Sequence, residues 1–413
     1  MRTPVLKVVA VAFLAAAVVA VPVAQACFSE EAGIDPRQAM IEATIEARLS
    51  GLAGPIGAVL RTSPNVQYVG SIPTEGASDT GGRLVGHYFY VTSWRDISIY
   101  DVSDPLHPVL MSKLTFPFRF ENEDVDTNGK ILLYSDFTTT QMLYVYDVSD
   151  KRHPYLLAEL PNAGTHTASC LFNCRYEYGS YHLVGPGGVP LHGGEIVDLR
   201  SPAHPKAVGD WTATTLPSRN VHDVTEVKPG FVLTASDPME YLDARDPLHP
   251  RVLARGTNQG ERLHSLIWPN GGTDRFIMSM FETNATPNCA LGSGEFSTWD
   301  ASRWKSTHTF TRIDSFYLSN GDFVDGNPPA NALGCSPHWF NVQPGFKDGG
   351  IVALAAYDNG TRFLNVDSAG KIKEVGWFLP QGTEASAAYW ITKNIVYVVD
   401  YARGVDIVRV KGP

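Results

Sequence analysis

Apolar residues along most of this chain fall in short runs rather than at helical spacing. YFYVTSW (88–94), ILLYSDF (131–137), FVLTASD (231–237) and VYVVDY (396–401) are each only a few residues long. Runs of that length and composition predict β-strands. A second apolar run follows each one and closes on an aspartate. ISIYDVSDPLHPVLMSKL (97–114) returns as LYVYDVSDKRHPYLLAEL (143–160), GEIVDLRSPAHPKAVGDW (194–211) and MEYLDARDPLHPRVLARG (239–256). Weaker copies are FSTWDASRWKSTHTFTRI (296–313) and RFLNVDSAGKIKEVGWFL (362–379), so Asp101, Asp147, Asp198, Asp243, Asp300 and Asp367 share one register. A last unit, GVDIVRV (404–410), carries Arg409 in that position.

One unit therefore reads strand, hairpin, strand ending in Asp, a D-P-x-H-P turn, strand, with a further strand before it. Four strands repeated every 40–60 residues predict a β-propeller, and seven copies predict seven blades. The fold class is thus all-β, a seven-bladed propeller of four-stranded blades over residues 65–413. NVQYVGSIP (65–73) resembles the outer strand KIKEVGWFLP (371–380), and the last unit ends without an outer strand of its own. Residues 65–72 are expected to supply it, closing the ring and removing a sheet edge. Within 27–64, DPRQAMIEATIEARLS (35–50) predicts one short helix, followed by a Gly/Pro-punctuated linker to about Asn65.

The recurrent apolar-apolar-x-Asp-x-x-Asp-Pro-x-x-Pro unit resembles the LVIVD-repeat β-propellers of secreted bacterial proteins, over residues 65 to 410. That resemblance implies the fold and leaves the activity open, because propellers host many functions.

The first 26 residues read as a secretory signal: Arg2 and Lys7, an apolar run to Ala20, then Ala24-Gln25-Ala26. A secreted, extracellular location is expected. Cys27 follows directly and offers a lipid anchor and a cell-surface association, although Gln25 fits a lipobox poorly. The other cysteines fit two disulfides in an oxidising compartment; we expect Cys170–Cys174 and Cys289–Cys335, among three connectivities that four cysteines allow. A net charge of −10 argues against a nucleic-acid partner. Composition says nothing about oligomeric state.

Twelve histidines sort into classes. His107, His153, His204 and His249 belong to the D-P-x-H-P turns and are expected at the blade periphery. A second class precedes the innermost strands: NEDVDT (122–127), THTASC (165–170), VHDVTE (221–226), LHSLIW (263–268), PHWFNV (337–342) and TEASAAYW (383–390). One register there holds Glu123, His166, His222, His264, His338 and Glu384, with the first-blade equivalent near Asp79 or Thr80. Innermost strands line a propeller's channel, so equivalent residues converge on the axis. His166, His222, His264 and His338 are expected as metal ligands, with Fe or Cu favoured and Zn, Mn or Ni also compatible with imidazole. Glu123 and Glu384 are expected as catalytic residues, orienting ligands from behind or serving as a general base. The competing reading treats all six as hydrogen-bonded channel lining.

The axial layout resembles carotenoid-cleavage oxygenases, in which four histidines hold iron with glutamates behind them. It also resembles selenium-binding proteins that act as methanethiol oxidases. Both resemblances are architectural. They imply a metal-dependent oxidoreductase or oxygenase acting on a small-molecule substrate or ligand at the propeller axis. The alternatives are hydrolysis at the same site and a non-catalytic extracellular binding or scaffold module. Nearby, Trp268, Trp339, Phe340, Tyr389 and Trp390 either wall an apolar pocket or pack the core. His182 and His192 are further candidates for the same mouth, whereas His87 and His308 read as strand residues. Long loops at 281–296 and 317–339 are expected to cover the mouth next to His338.

Overall fold

A computed structural model describes residues 60–72, 79–93, 96–116, 123, 125–136, 140–180, 194–211, 219–261, 263–282, 294–318 and 335–411. The expected signal segment, the helix at 35–50, Cys27, His182, His192 and Cys289 lie outside them. The described strands form antiparallel four-stranded units that follow one another along the chain. Blade 1 comprises Asp79–Val85, Tyr88–Ser93, Asp96–Asp101 and Val109–Thr115. Blade 2 runs from Asp126–Thr127 to Tyr155–Pro161, blade 3 from Thr167–Leu171 to Lys206–Trp211, and blade 4 from Arg219–Lys228 to Arg251–Gly256. Blade 5 runs from Ser265–Ile267 to Thr309–Tyr317 and blade 6 from Phe340–Val342 to Ile372–Pro380. Blade 7 is Ala385–Trp390, Ile395–Asp400, Gly404–Val410 and, as expected, Val66–Ile72. Val66 pairs with Val410 and Ile72 with Val405, so a strand from the N-terminal side of blade 1 closes the ring.

The expected linker is partly wrong. Its last residues, Leu60–Thr62, form a strand that adds to blade 6 with Leu60 opposite Pro380. The outer edge of that blade offered unpaired backbone groups, and the segment satisfies them before turning into blade 7. The outer strands of blades 4 and 5 also meet, in parallel, at Arg255 and Thr309.

The repeat is explained by its turns. Asp101 accepts the backbone N–H of Ser103 at 2.9 Å, Asp147 that of Ser149 at 2.8 Å, and Asp367 that of Ala369 at 2.8 Å. Each aspartate thus bonds the backbone two residues on, the Asx turn that short carboxylates favour. The second aspartate repeats the trick: Asp104 binds Leu106 N–H and also His107 Nδ1, and Asp150 and Asp246 do the same with their histidines. These histidines are solvent-exposed, as expected for a perimeter turn. His87 and His308 are not strand residues. His87 sits in the turn after Gly86, and His308 takes a left-handed conformation (φ 53°) before the outer strand of blade 5, where Nδ1 meets Leu253 O at 2.9 Å.

The core lies between neighbouring blades rather than at one centre. Ile72, Phe89, Val91, Tyr397 and Ile407 join blades 7 and 1, and Leu171, Tyr178, Trp211, Val221 and Val232 join blades 3 and 4. Each large side chain so buried contributes about 1.5–3 kcal/mol. This packing fixes the rotation of one blade on the next. The heads of the inner strands are thereby brought to a common axis.

A candidate metal centre on the propeller axis

Three axial histidines are positioned by backbone pairing at the head of their inner strands, and His222 lies within Arg219–Lys228. His166 N–H donates to Ser180 O, His264 N–H to Met280 O and His338 N–H to Ala355 O, at 2.9–3.0 Å. His222, His264 and His338 are fully buried and His166 nearly so. Successive rings touch across blades, with centroids 4.7 Å apart for His166 and His222, 3.7 Å for His222 and His264, and 4.6 Å for His264 and His338.

Glu123 enters this ring from blade 2 and is 1% exposed. Its Oε2 lies 3.0 Å from His338 Nε2 and 3.4 Å from His264 Nε2, and its Oε1 lies 3.9 Å from His166 Nε2. The carboxylate is therefore among the imidazoles, not behind them. Gly81 makes room for it, since a Cβ there would stand 1.8 Å from the Glu123 carbonyl oxygen.

The second nitrogens decide the tautomers. His222 Nδ1 faces the backbone oxygen of His264 at 2.9 Å, and His338 Nδ1 faces that of Ser386 at 2.9 Å. A carbonyl oxygen only accepts, so both Nδ1 atoms carry hydrogen. In the neutral rings each Nε2 is then a lone pair aimed inward, the state a metal requires. His222 Nε2 stands 3.0 Å from His166 Nε2. His338 Nε2 faces the Glu123 carboxylate at 3.0 Å, two acceptors in contact unless a cation or a proton lies between them. Burial lowers the His264 pKa to about 4, against the opposing pull of Glu282 and Glu123. His264 is accordingly neutral near pH 7, with its Nε2 facing Glu123 at 3.4 Å and Glu282 at 3.7 Å. Imidazole nitrogens and a carboxylate converging in a buried pocket fit a metal ion, and this buried His/Glu group could hold one.

The donor atoms fall into two groups, Glu123 with His166 and His222, and Glu123 with His264 and His338, each within 4.8 Å. Glu384 is buried in its expected register, where its N–H donates to Asp400 Oδ2 at 3.0 Å, but it belongs to neither group. In blade 1, Asp79 and Thr80 are buried, and Thr80 bonds Thr92.

Two participants escape the register of the inner strands. Glu282, just past Phe276–Phe281 of blade 5, places Oε2 3.7 Å from His264 Nε2. Tyr357, past Gly350–Ala355 of blade 6, donates its hydroxyl to Glu282 and stacks on His338 at 4.8 Å. The polar residues that end second strands, such as Asp136, Glu282 and Asp400, would have pointed to the first of these.

Beyond the cluster the channel holds a cavity of about 480 Å³, lined by inner strands of all blades. Trp339 belongs to both regions: it lines the cavity, and its indole N–H donates to Glu123 Oε2 at 3.0 Å. Phe340, Tyr389 and Trp390 line the same cavity. Trp268 does not. It packs against Tyr241 and Phe310 in the core and donates its N–H to Asp274 O. Cys170 and Cys174 form the expected disulfide at the cavity edge. Cys335 is also disulfide-bonded.

Repeat, ring and inner-strand pairing define a β-propeller. Residues 83–115 match the LVIVD repeat. The chain is similar in fold to solved structures that include WD40 propellers. "Structure of U3-55K" matches with 8% identity and TM-score 0.56, covering 86% of this chain and 100% of that one. "Crystal structure of RRP9 WD40 repeats" matches with 9% identity and TM-score 0.56, covering 86% and 100%. "Crystal structure of WD40 beta propeller domain of Doa1" matches with 11% identity and TM-score 0.54, covering 84% and 98%. At such identities the likeness concerns the fold alone. No curated protein matches the chain.

Proposed function

We propose that the axial cluster holds a transition metal, Fe or Cu in the first instance, and that the protein is a metal-dependent oxidoreductase acting on a small molecule. The observation that carries this reading is the contact between His338 Nε2 and Glu123 Oε2. His338 donates from Nδ1 to Ser386, so the 3.0 Å contact of its Nε2 with the Glu123 carboxylate takes a metal ion or a proton between them, and the metal reading assigns the ion. When bound, such an ion supplies Lewis acidity and, for Fe or Cu, electron transfer.

The chain's own residues have separable tasks. Ser386 and the His264 carbonyl fix two ring tautomers. Trp339 orients Glu123, and Gly81 admits it. The axial cavity leads a small ligand to the Trp339 side of the cluster, with apolar contact from Phe340 and Trp390. The secretory-type amino terminus and the Cys170–Cys174 disulfide support an exported protein.

The test is the metal content of protein purified from its native compartment, wild type beside His222→Ala and His264→Ala. Stoichiometric Fe or Cu, lost in folded variants, is the expected result. A metal-free wild type of equal stability would overturn the proposal and leave a binding module with a histidine-lined channel.

A further inference from the structure

The channel cavity beyond the cluster has two unlike walls. Blades 1, 2 and 4 supply its charges: among the described residues that line it, Asp126, Asp223 and Glu226 stand against a single base, Arg83. Arg83 is taken by Asp126, whose Oδ1 lies 2.7 Å from its Nη2, and the other oxygen of Asp126 accepts the Cys170 N–H at 2.7 Å. Glu226 Oε1 accepts two backbone N–H groups, from Phe172 at 3.0 Å and Gly230 at 2.8 Å. Asp223 is 4% exposed and accepts the Thr225 hydroxyl at 3.2 Å and the Val224 N–H. Among the described residues no cation pairs with it as Arg83 pairs with Asp126. A buried carboxylate so placed favours a charged donor.

Blades 6 and 7 supply the other wall, with Trp339, Phe340, Tyr389 and Trp390. Tyr389 is anchored there by accepting the Gly82 N–H at 2.9 Å. Two polar atoms in residues of this lining have no hydrogen-bond partner among the described residues: Ser265 Oγ and Trp390 Nε1. Both residues are more than nine-tenths buried. Buried polar groups are normally satisfied, so orphans that share a cavity with Asp223 point to a ligand that meets them.

We propose that this cavity binds a small organic ammonium ion, its N–H groups on Asp223 and its carbon body against the aromatic wall. Three acids to one base favour a cation. Charge-assisted N–H bonds are the strong kind, and the faces of Trp and Tyr attract a cation while covering apolar carbon. A volume of about 480 Å³ admits an amine carrying one ring or a short chain. Trp339, which lines the cavity, donates to Glu123, so the bound molecule lies on the cluster's side of the channel. Where the cluster acts on what the cavity holds, the inference names the substrate class and rests on the proposed function. Binding itself needs no metal.

The experiment is a calorimetric titration of the metal-free full chain with 2-phenylethylammonium, 2-phenylethanol and 3-phenylpropanoate, probes alike in body and different in head group. Wild type should bind the ammonium about tenfold or more tighter than the alcohol, and the carboxylate most weakly. Asp223→Asn, which preserves shape, should lose about tenfold in ammonium affinity and leave the alcohol within about twofold. Glu226→Gln, at a carboxylate already engaged by backbone N–H groups, should keep the ammonium within about threefold. The wild-type preference among the three probes needs no variant, so it decides the matter even if Asp223→Asn does not fold. Equal affinities for the three head groups, no binding of the ammonium, or an equal loss in both variants would overturn the proposal and leave the metal reading intact. Ammonium binding by a protein that carries no metal in its native compartment would remove the metal reading and leave this site.

Discussion

Trp339 donates its indole N–H to the same Glu123 oxygen that faces His338 Nε2, each at 3.0 Å. A residue at the floor of the channel cavity thereby fixes the orientation of the central carboxylate. Trp339→Phe keeps the aromatic surface and removes only the donor. We expect metal affinity to fall about tenfold, the lower end for losing an outer partner of a ligand, with little change in melting temperature. Calorimetric titration beside a thermal melt checks both.

Gly81 packs against the Glu123 backbone, and a Cβ there would stand 1.8 Å from its carbonyl oxygen. Gly81→Ala should cost about 1–3 kcal/mol in stability by overpacking and should disturb metal binding as well. Urea unfolding of the metal-free protein reads the first effect separately from the second.

Blade 3 carries a pH-sensitive pair away from the axis. Burial, then the nearby Glu195, pushes the Glu177 carboxyl well above its usual range, and among the described residues neither of its oxygens has a hydrogen-bond partner. Burial, then Asp210, raises Glu195 to about 7. The folded chain thus keeps protons that the unfolded chain loses above about pH 4.5, so this contribution is complete below that pH and declines as pH rises through 7. Glu195→Gln should raise the melting temperature at pH 8 and leave it unchanged at pH 4. Equal effects at both values would contradict the assignment.

The perimeter histidines give the opposite expectation. His107, His153 and His249 bond to aspartates three residues earlier and are about four-fifths exposed. Replacing all three with alanine should leave metal binding unchanged, because such exposed pairs contribute little and none approaches the axis. A loss of bound metal in that variant would place the ion elsewhere.

The division between these histidines was legible in the chain, and the reason is physical. Asp-Pro-x-His-Pro turns recur because each aspartate closes an Asx turn, so their histidines are bound to one local geometry. The axial set was legible as a register because equivalent inner strands converge. Glu123 was found by that register, but its place among the rings depends on the rotation of blade 2 against blade 1, set by packing. The split into two pairs has the same origin. Glu282 and Tyr357 were missed because they follow second strands, where no repeat-wide column of histidines draws attention. The strand at Leu60–Thr62 was missed because three residues carry no periodicity.

The most direct measurement is the metal-edge X-ray absorption spectrum of the protein loaded to saturation with Co(II). It reads the identity of the atoms around the ion. We expect a first shell of imidazole nitrogens with carboxylate oxygen beside them, and loss of imidazole scattering in His264→Ala. A shell of oxygen alone, unchanged in that variant, would mean that the axial histidines hold no metal.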